Sequence, residues 1–196
     1  PQTSGESLAA YLREQGDTNA TIEVTPVPGK DGLSTDFVKV VIPGSRGKIA
    51  GGDAPTLGVI GRLGGAGARP ELIGFVSDGD GAAAALAAAA KMLRMNARGD
   101  VLPGDVIIAT HVTGWAPTQP HDPVPFMDSP VDTATMNTFE VDEAMDAIIS
   151  IDTTKGNRTI NHRGIAISPT VKQGYILRPS EDLVATAEKV TGVPAV

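Results

Sequence analysis

The sequence contains no cysteine, few aromatic residues and no concentration of basic charge. Without cysteine the chain has neither disulfides nor thiolates, so any metal site must use histidine and carboxylate ligands. Its 16 Lys and Arg residues against 23 Asp and Glu residues give a net charge of -7. This balance, without a basic stripe, excludes a nucleic-acid surface. No apolar run reaches about 18 residues, so we expect no contact with a membrane interior.

A chain of 196 residues, 41% of them hydrophobic, is long enough to bury a substantial core of aliphatic side chains and alanine. We therefore expect one domain over residues 1–196. Pro1 is not an initiator residue, and the C-terminal "KVTGVPAV" ends where a strand would be expected to begin. These ends predict a truncated or processed chain. The start shows no signal-peptide pattern, and we expect a cytoplasmic protein.

Helical and strand patterns alternate along the chain. Helices are predicted over "SGESLAAYLREQG" with Ser4 as N-cap, over residues 81–97, and over "SEDLVATAEKVTG" with Ser180 as N-cap. The predicted strands are "TIEVTPV", "TDFVKVVIP", "APTLGVIGRL", "ELIGFVSDGDG", "DVIIATHV", "DAIISIDTT" and "RGIAISPTV". Because the core strands are almost continuously apolar, the pattern predicts a three-layer α/β/α fold with a mostly parallel or mixed sheet.

Residues 114–140 differ in composition from the rest of the chain. They are rich in proline and polar residues, and they form a stretch too long for a passive connection in a compact domain. The stretch also carries Trp115 and Phe126, aromatics of an exposed type. We interpret it as an ordered loop that roofs a functional pocket or contacts a neighbouring subunit, and we expect a homo-oligomer.

Polar residues follow three apolar strands at the point where each strand ends. Asp78 and Asp80 follow "LIGFV", His111 follows "VIIAT", and Asp152 follows "IISI". Ligands of open α/β sheets bind beyond the carboxyl ends of the strands, so we predict that these four side chains share one pocket. Structural alternatives exist for three of them: Asp80 as a helix N-cap, Asp78 as a satisfied loop residue, and His111 as a buried core histidine.

Further candidates lie near Asp152 and on the long stretch. Lys155 and Arg158 suit the carboxylate of a substrate, although solvated side chains have the same sequence signature. His162 follows them, and His121 lies among prolines that would either position its imidazole or leave it on the surface. Aspartate and histidine together suit Zn²⁺ or Mn²⁺, so a divalent metal is the expected cofactor.

Two other kinds of site have weak or no support. The glycine-rich "GRLGGAGARP" follows a strand but lacks the lysine and serine of a phosphate-binding loop. The chain contains no G-x-S-x-G nucleophile turn.

Several long strings resemble the bacterial family named domain of unknown function 1177. They are "GDAPTLGVIGRLGGAGARPELIGFVSDGDGAAAALAAAAKM", "GDVLPGDVIIATH", "PHDPVPFMDSPVDTATMN" and "SIDTTKGNRTINHRGIAISPTVKQGYIL". The resemblance covers nearly the whole chain and identifies an uncharacterised family without an activity. Members of that family are longer at both ends, which agrees with the truncation expected above.

A fainter resemblance connects the chain with the dinuclear zinc aminopeptidases. "DGDGAAAALAAAAKML" is similar to their helix after the bridging aspartate, which puts Asp78 at that position, and "AIISID" is similar to the strand that ends in a metal-binding aspartate, here Asp152. The resemblance implies an aminopeptidase-like core and hydrolysis of a peptide or other amide bond in a small molecule or peptide. His111 and His162 would be further ligands. Substrate carboxylate would be held by Arg62, Lys155 or Arg158.

The chain departs from that pattern at the other ligands. The first histidine and aspartate pair of those enzymes would fall at Arg62 and Gly64, and their glutamate pair, which includes the general base, would fall near Thr113 and Gly114. Their last histidine would lie beyond Val196. Two functions therefore stay open: a metal-dependent hydrolase, and a non-catalytic relative that acts as a binding or self-assembling structural protein.

Overall fold

The computed structural model describes residues 3–62, 67–68, 73–74, 79–123, 126–153, 158 and 164–195. The chain divides into two compact units, residues 1–153 and residues 154–196. The single-domain organisation stays a prediction. Among the described residues, no helix has the length and apolar character needed to cross a membrane.

The described elements alternate between strands and helices. The α-helices are α1 Gly5–Arg13, α2 Gly79–Ala97, α3 Thr133–Glu140 and α4 Glu181–Thr191. The strands are β1 Thr21–Pro28, β2 Ser34–Ile42, β3 Leu57–Gly61, β4 Gly67–Ala68, β5 Ile73–Gly74, β6 Val106–Val112, β7 Thr118–Gln119, β8 Phe126–Met127, β9 Ala147–Ile151, β10 Thr170–Lys172 and β11 Tyr175–Leu177. The predicted α/β class is confirmed.

Five strands of the first unit form the central sheet, in the order β1-β2-β6-β3-β9. β2 runs antiparallel to both β1 and β6, whereas β3 runs parallel to both β6 and β9. The sheet is therefore mixed, which is one of the two arrangements that the apolar strands predict. Every residue of β6 is buried, as expected for a central strand covered on both faces.

The two faces of the sheet contact different helices. Val40 and Ile108 are cross-strand partners that join α2 residues in the main hydrophobic core. The pair Phe37 and His111 lies three residues further along each strand, so it points to the opposite face, because side chains alternate along a strand. There Phe37 stacks on Phe139 of α3. α1 and α2 thus cover one face and α3 the other, which gives three layers.

The helix starts follow from local chemistry. At α1, the Ser7 amide donates to Ser4 Oγ at 3.2 Å and the Ser4 amide donates to Ser7 Oγ at 3.0 Å, so the predicted N-cap is confirmed. At α2, a Cβ on Gly81 would lie 2.4 Å from the carbonyl oxygens of both Arg62 and Ile151. Glycine at this position therefore lets the start of α2 lie directly against the ends of β3 and β9.

The structure differs from the predicted elements in three places. Residues 114–140, predicted as a loop, contain the paired strands β7 and β8 and the helix α3. Of the predicted strand "ELIGFVSDGDG", only β5 is described as a strand, and it pairs with β4 outside the central sheet. Of the predicted strand "RGIAISPTV", only the part from Thr170 onwards forms a strand, β10.

The second unit contains the β10 and β11 hairpin and the helix α4. Gln173 and Gly174 form its turn with φ of 49° and 83°, the left-handed region that glycine adopts readily. α4 begins after Ser180, as predicted, and ends at Gly192, where φ is 74°. None of the residues of α4 is buried.

Candidate functional site

Three parallel strands bring their carboxyl ends to one edge of the sheet. Gly61 of β3 pairs with Thr110 of β6 and with Ile151 of β9. Arg62 follows β3, and its amide donates to the Ile151 carbonyl at 2.9 Å. The start of α2 reaches the same edge, because the Ala82 amide donates to the Arg62 carbonyl at 3.2 Å. Arg62, Asp80, His111 and Asp152 therefore all lie at this carboxyl edge.

Among the predicted site residues that the structure describes, His111 is the most enclosed. Its side chain is 1% exposed, and its ring stands beside Phe37 with centroids 5.6 Å apart. Nδ1 lies 2.5 Å from Oε1 of Glu140, which is fully buried at the end of α3. A carboxylate only accepts hydrogen bonds, so this contact places the ring hydrogen on Nδ1 and fixes the orientation of the imidazole.

Arg62 continues this cluster towards the solvent. Its Nη1 lies 2.9 Å from Glu140 Oε2, and its Nη2 donates to Asn137 Oδ1 at 2.7 Å. Oε2 accepts no well-aligned hydrogen bond from the part of the chain that the structure describes, and its contact with Nη1 is an ion pair. The guanidinium charge nevertheless offsets the cost of burying the Glu140 carboxylate. We call Arg62, His111 and Glu140 the buried triad.

Asp80 and Asp152 lie on the exposed side of the same edge. Asp152 Oδ1 accepts from the Thr153 amide at 2.7 Å, and Thr153 Oγ1 donates to Asp80 Oδ2 at 3.5 Å. α2 begins at Gly79, so Asp80 is inside its first turn and the N-cap interpretation is wrong. A carboxylate in the first turn still interacts favourably with the helix dipole.

The other predicted site residues are placed as follows. Asp78, Lys155 and His162 lie outside the described residues. Arg158 and His121 are exposed. Within the described ranges, no three His, Asp or Glu side chains stand close enough together to hold a metal ion. The predicted ligand set and the predicted substrate contacts stay predictions.

Two residues of the cluster were missed by the sequence analysis. Glu140 and Asn137 belong to "TATMNTFE", which has few apolar residues and lies in the stretch predicted as a loop. No local spacing in the sequence links Glu140 with His111, because their contact joins α3 with β6, two elements that are far apart along the chain. A helix prediction for residues 133–140 would have indicated Glu140, since Asp132 is a favourable N-cap and accepts from the Thr135 amide at 2.7 Å.

Comparison with known protein families gives one match over most of the chain. Residues 27–196 match the family described as "Protein of unknown function (DUF1177)". The chain belongs to this family. The match includes the three carboxyl strand ends and the whole buried triad. No curated protein matches the chain.

Among solved structures, the chain is similar to two of the bottromycin maturation enzyme BotP. With BotP in complex with Mn, the TM-score is 0.35 at 18% sequence identity, over 59% of this chain and 28% of BotP. With BotP alone, the TM-score is 0.34 at 18% identity, over 59% of this chain and 27% of BotP. The chain thus spans less than a third of the length of BotP.

Proposed function

We propose that this DUF1177 protein is a metal-dependent hydrolase of a peptide or other amide bond, with its centre at the carboxyl edge. The proposal is supported chiefly by one contact, the 2.5 Å hydrogen bond between His111 Nδ1 and the buried Glu140 carboxylate. Histidines that bind metals commonly donate their other ring hydrogen to a carboxylate, which orients the ring and raises its basicity. In this arrangement Nε2 of His111 is the ligand atom.

The donor types at the edge fit a divalent cation of the zinc or manganese kind. His111 of β6 supplies an imidazole, and Asp152 supplies a carboxylate just past the end of β9, a parallel strand that β3 separates from β6. In the proposal Asp78 and His162, outside the described residues, complete the ligand set. A divalent metal in such a site polarises a carbonyl group and lowers the pKa of bound water.

The chain's own residues prepare the site. Glu140 holds the imidazole in one orientation, and Arg62 offsets the charge of Glu140 in its buried position. Because Arg62 is already paired with Glu140 and Asn137, we assign the substrate carboxylate to Lys155 or Arg158 instead. Asp80 also accepts from the hydroxyl of Thr153, two residues past β9, at 3.5 Å.

A non-catalytic binding protein is the second candidate. It is favoured by the lack of a three-ligand cluster within the described residues and by the position of Arg62, a cation only one residue past β3. A guanidinium at this place repels a second cation. In this alternative, an anionic small molecule or peptide binds at Lys155 and Arg158, and the buried triad only holds α3 on the sheet.

Calorimetric titration of the full-length protein with Mn²⁺ and Zn²⁺ tests the proposal. We expect binding at micromolar metal, and we expect Glu140→Gln to weaken it about 10- to 100-fold through His111. Asp152→Asn should weaken binding by removal of a ligand. Asp53→Asn, a change of equal charge at a side chain that is 94% exposed, is the control. If the wild type binds neither metal at micromolar concentration, the hydrolase proposal is wrong and the binding alternative is favoured.

A self-assembling protein would use the stretch 114–140 at its interface. Trp115 in this stretch is half-buried within the chain, and the side chain of Phe126 lies outside the described part. Light scattering on the full-length protein measures the oligomeric state, and Trp115→Ala should convert an oligomer into a monomer if this stretch forms the interface.

A further inference from the structure

The first 90 residues contain three lysines, and each pairs with an aspartate from one later segment. Lys39 Nζ lies 3.1 Å from Asp142 Oδ2, and Lys48 Nζ lies 2.7 Å from Asp146 Oδ2. The third pair is Lys30 with Asp128. Residues 128–146, which we call the strap, therefore carry all three aspartates, together with α3 and Glu140.

The strap lies on the face of the sheet that contains His111. Its middle contacts that face through Phe139 on Phe37 and through Glu140 on His111. Its start is also joined to the β1–β2 turn, where the Lys30 amide donates to the Pro130 carbonyl at 3.0 Å. The strap thus runs from this turn to the start of β9, and Glu140 at the end of α3 contacts the other two residues of the buried triad, His111 and Arg62.

The strap is attached by both apolar and polar contacts. Pro130 and Val131 at its start are buried, and Phe139 stacks on Phe37. Within α3, however, only Glu140 is buried, whereas α2 has seven buried residues, all of them glycine, alanine or leucine. The three lysine–aspartate pairs are partly exposed, with side-chain exposures between 23% and 48%. Pairs of this kind are individually weak and are screened by salt. α3 therefore buries less apolar surface than α2, and part of the strap's attachment depends on ionic strength.

We infer that the strap opens and closes over this face of the sheet, that the three lysine–aspartate pairs fasten it, and that its closing positions Glu140 behind His111. Glu140 and the three lysines are positioning residues in this scheme. The significance of the scheme for catalysis rests on the proposed function, because a histidine without its carboxylate partner is a weaker and less oriented ligand. The opening itself is independent of any metal.

Hydrogen exchange of the metal-free protein tests the opening. A variant with Lys30→Gln, Lys39→Gln and Lys48→Gln should exchange the amides of residues 133–140 on the order of tenfold faster, while α2 amides keep their wild-type rates. Lys91→Gln, the same change on α2, should alter neither. Raising the salt to about 1 M, where the Debye length is about 3 Å, should produce the same selective effect in the wild type.

The ring ¹⁵N shifts of His111 test the positioning. In the wild type they should report a hydrogen on Nδ1, and in the three-lysine variant and at high salt they should move towards exchange between both ring positions. Equal acceleration of amide exchange in α2 and α3, or no acceleration in either experiment, would contradict the opening of the strap. Faster exchange of α3 with unchanged His111 shifts would overturn its positioning role. The salt series uses the wild type, so the test holds even if the variant does not fold.

Discussion

Phe139 of α3 stacks on Phe37 of β2, with ring centroids 4.7 Å apart and an angle of 25° between the rings. Phe37 is itself buried and stands next to His111. This pair is an apolar contact between α3 and the sheet, and it lies one residue from the carboxylate that orients the histidine. The packing of one aromatic pair and the geometry of the buried triad are therefore coupled.

Replacing Phe139 should loosen that packing. Phe139→Ala is expected to lower the free energy of unfolding by about 2–4 kcal/mol, at or below the usual cost for phenylalanine because Phe139 is only half-buried. Urea unfolding measures the loss. Val141→Ala, at a side chain that is 43% exposed, should change stability by no more than about 0.5 kcal/mol. Equal effects of the two changes would contradict the role given to the stack.

The two charged ends of the buried triad should not be equivalent. Arg62→Met leaves the fully buried Glu140 without its counter-charge and should cost about 3–5 kcal/mol of stability. Glu140→Gln leaves the 22%-exposed Arg62, which water still reaches, and should cost less. The double variant should be more stable than the sum of the single losses predicts, by roughly 0.5–3 kcal/mol. Additive losses in chemical denaturation would show that the pair is not coupled.

The strap should also respond to acid. Lys30 lowers the pKa of Asp128, the Ala144 amide and then Lys39 lower the pKa of Asp142, and Lys48 and then the Thr56 amide lower the pKa of Asp146. Groups whose folded pKa is depressed stabilise the protein above their unfolded pKa of about 3.9, and this stabilisation is lost as the pH falls through the folded pKa.

Asp142→Asn tests the direction of this pH dependence. The variant should be less stable than the wild type at neutral pH, and the difference should shrink below about pH 4 and vanish once the wild-type aspartate is protonated. Urea unfolding across the pH range gives both curves. Asp53→Asn, at a nearly fully exposed site, should follow the wild type throughout. A stability difference for Asp142→Asn that persists at the lowest pH would argue against a charge effect.

Gly81 offers a test of how α2 is seated at the carboxyl edge. Gly81→Ala places a methyl group 2.4 Å from two backbone carbonyl oxygens, which cannot retreat without moving β3 or β9. Overpacking of this kind costs about 1–3 kcal/mol, despite the better helix propensity of alanine. Gly114→Ala, whose new Cβ would stand 3.7 Å from the nearest atom, should be tolerated. Thermal unfolding of both variants measures the difference.

Much of the first unit could be predicted because its elements carry strong local signals. β6 is continuously apolar, and α2 is an alanine-rich run that begins with glycines. The capping box of Ser4 was likewise visible as a sequence pattern, as was the left-handed Gly192 that ends α4 in the second unit. Each of these signals is local. A cap depends on contacts within one segment, and a buried strand or helix face requires apolar residues at regular positions in the sequence.

α3 and Glu140 could not be predicted for the opposite reason. Threonine and asparagine are poor helix formers, and the helix is held in place by Phe37, His111 and Arg62, which come from distant strands. Because the buried residue of α3 is a glutamate, the spacing of apolar residues does not indicate which side of the helix faces the sheet. The predicted strand before Thr170 was wrong for a related reason: "GIAIS" is apolar, but pairing in a ladder requires a partner that sequence alone does not name.

The order of strands in the sheet has a consequence for how the protein folds. β1 and β2 are joined by a short turn, whereas β3 meets β6 only after α2 has been traversed and meets β9 only after the strap. Long loops lose more entropy on closure, so we expect the hairpin to form early in the folding transition state and the parallel strands late. Truncations in β1, such as Val24→Ala, should then slow folding, whereas Val59→Ala in β3 should mainly speed unfolding. The edge that carries the candidate site would be among the last parts of the first unit to acquire its structure.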